Sequence, residues 1–480
     1  MKKKIVSLFM AVALCAGSLS LGACSKDKSD QADGTVKGSE SNQADETVKG
    51  SGPDQTDGTV KGSGSGEEES EEGITIRLLT RLTGTRETVP AYVVWADVID
   101  EFKEKHPGVN VVDESQGDEA SFDSIMSTDL ASGTMANIFA VNGVTKLGEY
   151  IDNGVILNLE PYLKEDPSWS DGFMEGPINY YRVPGYEGVY AVPNQAGLIG
   201  FFYNKDLFQK AGIDKFPETW TEFLDAIEKL KASGVVPIAI GPQSTYMVGH
   251  IHNEIFYRWM GCDAAKQLGS REIKWTDPDV IKTLQFEKDL IDAGAFDKDA
   301  VGMTADIAGA QFQEGKAAMI LSGPWNNSHF SDKEECSVAE YVDFAKFPYF
   351  EEKPEFKDND MQTTAPLMVS GKLTGKELEL TIELLKMFTN QQTAKRFAEE
   401  GQILVPRKDV DIDKSKCTDL FNTSLELSTS SEKIGGDVFE FDPLASMADK
   451  TRNSIFTLFT GASPETVAEE IQKEVDNNLK

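Results

Sequence analysis

Four short patterns in this chain of 480 residues have the residue types of reactive or ligand-holding sites. Gly309 to Lys316 offers a glycine, a spacer and then Gly315-Lys316, as a phosphate-cradling loop would. Its spacer is one residue too long, and Ala317 stands where a magnesium-binding hydroxyl belongs. Asp409, Asp411 and Asp413 alternate like the start of a calcium loop, but Lys414 replaces the turn glycine and Leu420 the bidentate glutamate. His250 and His252 are two residues apart, which splays them on a helix and opposes them on a strand, with no third metal ligand in view. Glu334 and Glu335 are adjacent carboxyls, yet with 80 acidic side chains such pairs arise by chance and do not imply paired acid–base chemistry. Neither a G-x-S-x-G elbow nor an HExxH run occurs. No nucleophile with a base is nominated, so no enzyme activity, metal or cofactor is expected.

Composition narrows the classes further. The chain carries 47 Lys plus Arg against 80 Asp plus Glu, a formal net charge of −33. So acidic a surface repels phosphate, which argues against nucleic-acid binding and against a polybasic membrane patch. Lys2, Lys3 and Lys4 precede an apolar run from Ile5 to about Leu14 that ends in small residues, the pattern of a secretory signal over 1–23. That run is shorter than the roughly 20 residues needed to span a bilayer. Leu21-Gly22-Ala23-Cys24 resembles the bacterial lipobox, which implies cleavage before Cys24, its acylation, and contact with the membrane through lipid alone. The expected location is extracytoplasmic, anchored at the cell membrane. Cys262, Cys336 and Cys417 are then left, widely spaced and without a CxxC pair; three buried thiols are expected, with one disulfide plus a free thiol as the alternative.

Residues 24–72 read as a tether. Asp33 to Ser39, Asp45 to Ser51 and Asp57 to Ser63 repeat imperfectly with a period of 12, each unit offering a single valine to bury. Such a segment cannot offset its ordering entropy and is expected to be disordered. Beyond it, strands and helices alternate. Ile74 to Leu79 reads as a strand, Val93 to Lys105 as an amphipathic helix stopped at His106-Pro107-Gly108, and Val109 to Val112 as a second strand. Phe122 to Ser132 leads as a helix to a buried strand at Ile138 to Val141, and Thr221 to Ser233 leads to one at Val235 to Ile240. Helices follow over Glu377 to Thr389, Gln392 to Glu400 and Pro464 to Leu479. This alternation predicts an α/β fold with mostly parallel sheets flanked by helices, and ligands at the carboxyl ends of strands.

Read in order, the body shows a series of blocks. They are Tyr190-Ala191-Val192-Pro193, Gly200 to Phe208 (GFFYNKDLF), Ala211-Gly212-Ile213 and Pro217 to Phe223 (PETWTEF). Leu130 to Gly133 before Asn137-Ile138-Phe139, Phe312 to Met319 followed by Ser322-Gly323-Pro324-Trp325, and Phe388-Thr389-Asn390 with Phe397-Ala398 and Val405-Pro406-Arg407 complete the set. Together they resemble family 1 of the extracellular solute-binding proteins, the receptors of carbohydrate ABC importers, of the maltose-binding type. The resemblance implies a two-lobe periplasmic-binding-protein fold, type II-like, with the ligand cleft between the lobes. By analogy lobe one is 73–195 plus 347–408 and lobe two 200–345 plus 410–480, with hinge crossings near 196–199, 346 and 409. It further implies a mono- or oligosaccharide ligand, delivery to permease subunits, and a monomeric receptor that closes on its ligand without chemistry.

A sugar site needs amide and hydroxyl side chains for the ring hydroxyls and aromatic faces for the C–H side. Trp325, in a Gly-Pro-Trp-Asn turn after a strand, supplies one face, with Asn326 beside it. Asn194 and Gln195 precede the hinge, Asn142 ends the strand from Ile138, and Gln243, Ser244 and Tyr246 follow the strand ending at Ile240. Gln116 and Arg81 lie just past the second and first strands. Tyr203-Asn204-Lys205 is read as structural. Ala140-Val141 and Met447-Ala448 stand where maltose-binding relatives carry aromatics, with Phe439 and Phe441 as substitutes, so maltodextrin specificity does not follow. The alternatives are the same fold holding a non-sugar solute, a secreted glycoside hydrolase, and a surface adhesin.

Overall fold

The computed structural model describes residues 71–478 except 88, 142, 143, 145, 146, 184 and 445. The signal, Cys24, the tether as far as Ser70, and Asn142 lie outside the described residues. Ten strands are described: β1 (Thr75–Leu79), β2 (Asn110–Asp113), β3 (Ile138–Phe139), β4 (Val192–Leu198), β5 (Gly200–Asn204), β6 (Val236–Ala239), β7 (Ala317–Ser322), β8 (Val342–Ala345), β9 (Asn359–Val369) and β10 (Lys433–Gly435). They form two sheets. One runs β10-β9-β3-β1-β2 with β4 also paired to β9, and the other runs β6-β7-β5-β8.

The first βαβ unit shows how sequence becomes layer. The helix Pro90–Lys105 buries Ala91, Val94, Trp95, Val98, Ile99 and Phe102, one stripe at three- and four-residue spacing. It starts three residues earlier than the periodicity predicts because Pro90 occupies the first turn, where its missing N–H costs nothing. Trp95 stacks on Phe388 at 3.7 Å, which ties that stripe to the late helix Gly375–Thr389. The helix Trp220–Ala232 is begun by a capping box in which Thr219 and Glu222 satisfy each other's backbone N–H.

Two apolar cores result, one per lobe. The first gathers Ile76 through Val192, then Leu367 through Val405. The second gathers Leu198 through Met361, then much of the stretch from Leu420 to Val475. β4 and β9 each have one end in either core, and they pair antiparallel from Val192↔Leu367 to Leu198↔Gln362. They are the two strands on which the lobes are hung.

Several expectations need correction. Sheet pairing is mixed: β1–β2, β1–β3, β6–β7 and β9–β10 are parallel, whereas β3–β9, β4–β9, β5–β7 and β5–β8 are antiparallel. Strands that carry the chain between lobes run against those made by crossover helices, which local periodicity cannot reveal. Residues 347–358, assigned to lobe one, pack with lobe two: Phe347 and Phe350 lie 6.3 and 4.8 Å from Trp220. The core contribution changes lobes inside β9, between Met361 and Leu367, and not at 346. The last change likewise falls near Leu420 and not at 409, because Val410, Ile412 and Cys417 still pack on the first core. Glu71, expected in the disordered tether, is fixed by His106 Nδ1 at 3.0 Å. The three cysteines are free thiols, and Cys417 is half-buried, not buried. Among the described residues no helix is long and apolar enough to cross a membrane.

The start of β9 is pinned by a buried polar network from the helix Thr245–Met260. Arg258, fully buried, donates to the Phe347 carbonyl at 3.0 Å and to the Asn359 carbonyl, and it pairs with Asp360. Lys346 also reaches Asp360, at 2.9 Å. Glu254, one turn before Arg258, accepts the Met361 N–H at 3.1 Å, while its second oxygen has no partner. Burial pushes this carboxyl up to about 8 despite the attraction of Arg258. The folded chain thus keeps a proton that the unfolded chain releases at an ordinary carboxylate pKa, so this group's contribution falls as pH rises toward 8. Glu254→Gln cannot ionise and preserves the shape. Its melting temperature is expected to gain on the wild type steadily from about pH 5 to about pH 8; a difference that stays constant over that range would reject the assignment.

Candidate functional site

Trp325 sits in a short 3-10 turn, Pro324–Asn326, that follows β7 directly. Its position is set from two sides. Gly323 leaves the space that the Trp325 ring occupies, and Pro324 lies against Gly197 of β4, where an added methyl would meet it at 2.9 Å. The turn is thereby packed against a strand that is shared by both cores. Trp325 remains half-buried, and its ring faces His250 at 6.1 Å between centroids. Tyr246, one turn earlier on the helix Thr245–Met260, meets His250 edge-on at 5.3 Å. Three rings therefore line one wall of the second lobe.

The remaining sequence-derived candidates fall into separate groups. Asn194 is the extra residue of a bulge in β4, and its buried side-chain oxygen has no hydrogen-bond partner; Gln195 follows it, half-buried. Both share the strand whose Gly197 supports Pro324. Asn326 spends its amide on the Ser322 hydroxyl at 2.8 Å. Gln243 is exposed and donates to the Val301 carbonyl, while the Ser244 hydroxyl accepts the Ala305 N–H, so these two hold the loop that follows Ala300. In the first lobe Gln116 donates to Glu114 O at 3.0 Å, and Arg81 donates to Gly117 O at 2.8 Å while lying over Phe122. Gln116 stays within its own loop, Arg81 ties the loop after β1 to the one after β2, and no described contact joins either to Trp325. Tyr203 packs on Phe208 and Phe216, and Asn204 caps the helix Lys205–Lys210.

The most connected group escapes sequence reasoning. The segment after β10 carries Asp437 and Glu440, and the helix Ser446–Phe456 carries Arg452, which pairs with Asp437. Tyr180, from the first lobe, donates its hydroxyl to Glu440, and its ring lies over Gly436, where a methyl would meet it at 2.7 Å. The adjacent Tyr181 bonds Thr364 of β9 at 2.6 Å. Glu440 thus joins a residue packed on the first core to a segment packed into the second. Burial and then the charge of Asp437 hold Glu440 above the ordinary carboxylate range. Burial disfavours ionisation of Asp437 too, but the Arg452 guanidinium outweighs it and holds that carboxyl low. Burial also pushes His250 down to about 4, so it is neutral near pH 7. No sequence motif marks this group. Phe439 itself is buried, stacks with His252 and Trp275, and serves the core, not a ligand; Phe441 also packs on that core.

Two lobes are thus joined by paired crossing strands, with three rings grouped on the second lobe and a polar bridge to the first. A family model for bacterial extracellular solute-binding proteins matches residues 87–377. The chain belongs to this family. An uncharacterised extracellular-binding protein of an ABC transporter from Pyrococcus horikoshii is 25% identical over 240 residues, 48% of this chain and 52% of that protein. A multiple sugar-binding protein of Streptococcus mutans is 29% identical over 155 residues, 31% of this chain and 36% of its own. The chain therefore spans about half, or less, of the length of these curated relatives. Among solved structures, a chitin oligosaccharide binding protein superposes with a TM-score of 0.76 at 24% identity, covering 85% of this chain and 99% of that one. This solute-binding protein accordingly has the two-lobe fold of that structure.

Gly323 tests the placement of the indole. Its backbone is extended (φ −111, ψ −178), a conformation alanine also adopts, so Gly323→Ala adds only a methyl in the place of the Trp325 ring. The indole is expected to move outward, read as a red shift of tryptophan emission with secondary structure unchanged by circular dichroism. An unchanged spectrum would show that the ring does not depend on this gap.

Proposed function

We propose that the chain is the extracytoplasmic substrate-binding component of an ABC importer, held at the membrane by lipid on Cys24 and the 24–72 tether. It binds a mono- or oligosaccharide between its lobes and delivers it to a permease pair without chemical change. The observation that carries this reading is Trp325, half-buried with Tyr246 and His250 on one lobe and locked through Pro324 to a hinge strand. An indole held in that way offers a flat apolar face to the C–H side of a pyranose, and its carrier turn moves with the hinge. Family membership and the sugar named in the streptococcal relative support the same conclusion.

In that mechanism both lobes contribute contacts. Trp325, Tyr246, Gln243, Ser244 and Asn326 act from the second lobe, and Arg81, Gln116 and Asn142 from the first. Asn194 and Gln195 act from the hinge strand, where the unpartnered Asn194 oxygen accepts a ligand hydroxyl. Ligand contacts on both sides favour the closed arrangement by their differential affinity for it. The closed face is then the form that the permease recognises.

A thermal-shift screen against a sugar panel tests the reading, since a selective ligand stabilises the native state by RT ln(1 + [L]/Kd). Trp325→Ala is expected to weaken the best sugar by more than about tenfold, the loss of one stacking face, with little change in the melting temperature of the free protein. Unaltered affinity by calorimetry would move the cleft elsewhere.

A further inference from the structure

We infer that Tyr180, Val144 and Glu440 form an interlobe clasp that holds the lobes together before any solute is bound, and that the cleft opens only when this clasp is released. Each half of it is built within its own lobe. On the second lobe, the Tyr257 hydroxyl donates to the Gly436 carbonyl, and Asn253 Oδ1 accepts the Val438 N–H at 3.2 Å. Asp437 accepts the Phe439 N–H at 3.0 Å and pairs with Arg452. Asn253 and Tyr257 are fully buried on the helix Thr245–Met260, so the stretch from Gly436 to Glu440 is fixed to that lobe. On the first lobe, Tyr181 is buried in the core, bonds Thr364 of β9, and meets the Tyr180 ring edge-on at 5.3 Å. The two sides are therefore positioned independently of each other.

Three contacts cross from the first lobe to that stretch. Tyr180 donates its hydroxyl to Glu440, and the Val144 backbone N–H is a second donor to the same carboxylate. The third contact involves no hydrogen bond. Gly436 lacks the positive φ that favours glycine, yet a methyl on it would meet the Tyr180 ring at 2.7 Å. What its missing side chain makes room for is thus a ring of the opposite lobe. Every partner in these contacts belongs to the chain, so they form without a solute. Groups ordered in advance lose little freedom when they meet, which favours the joined state. None of the partners lies on β4 or β9, so a motion that parts the lobes about those strands must break the clasp. A methyl on Gly249 would meet the Phe439 ring at 3.1 Å and Arg452 at 3.3 Å, and His250, next in the chain, faces Trp325. One turn of one helix therefore carries both the support of the clasp and the ring beside Trp325.

Small-angle X-ray scattering of the purified receptor without added solute tests this, with the same 24–72 segment in every variant. Tyr180→Phe removes one oxygen and keeps the ring. Its radius of gyration is expected to exceed that of the wild type, with circular dichroism unchanged. Gly436→Ala puts a methyl in the place of the Tyr180 ring and is expected to expand in the same way. Tyr181→Phe is the matched control, because it loses a hydroxyl from the neighbouring ring and leaves the clasp in place. Its radius is expected to stay at the wild-type value. An unchanged radius in Tyr180→Phe overturns the inference, and so does an equal expansion in Tyr181→Phe. Should Tyr180→Phe not fold, Gly436→Ala decides by the same criterion. No arm involves a solute, so a failed clasp leaves the proposed function standing, and silence across the sugar panel leaves the clasp standing.

Discussion

Everything in this molecule hangs on the antiparallel pairing of β4 with β9. Each strand begins in one core and ends in the other, and their ladder runs from Val192↔Leu367 to Leu198↔Gln362. A ladder across two cores resists sliding, because a one-residue slip would turn buried faces outward in both lobes at once. The end of the ladder nearest the second lobe is further fixed: Arg258 grips the carbonyls of Phe347 and Asn359, and Glu254 takes the Met361 N–H. The bulge at Asn194 lies at the other end, where pairing loosens and a polar side chain is turned out of register. The ladder is thus pinned by side chains at its second-lobe end and interrupted by a bulge at its first-lobe end.

The aromatic wall and the polar bridge depend on that arrangement in different ways. Trp325 is carried by a turn that presses on β4 through Pro324, so its position reports on the hinge directly. Glu440 instead reaches across from a segment that leaves β10, and it meets Tyr180 of the opposite lobe. One group is coupled through the backbone and the other through a side-chain contact that exists only while the lobes are near.

Sequence reasoning recovers what is local. Strand β1, the helix Pro90–Lys105, the capped helix Trp220–Ala232 and the terminal helix Pro464–Asn478 follow from periodicity and end signals that involve neighbours in the chain. The ordered blocks around Trp325 carry the family and the fold. What stays hidden is set by distant partners. Phe347 and Phe350 belong to the second lobe because Trp220 is there to receive them, more than a hundred residues away. Glu440 is one acid among 80 in the sequence, and nothing nearby marks it; Tyr180 stands 260 positions earlier. Gln116 and Arg81 show the converse. Their types and places past two strands are legible in the sequence, but the carbonyls they meet, Gly117 for Arg81 and Glu114 for Gln116, appear only in the fold.

The gap at Gly197, filled by the Pro324 ring, has a consequence for redesign. The strand that turns and the turn that presents the indole are engaged like two gear teeth, with no room for a side chain on the strand side. A side chain introduced at Gly197 would displace the turn that carries Trp325. The segment that holds Asp437 and Glu440 has no such engagement, since it meets the opposite lobe through one hydroxyl and one ring face. The two lobes are therefore joined in two different ways, by a ring packed on backbone at Gly197 and by a polar contact beside a ring face at Glu440 and Gly436.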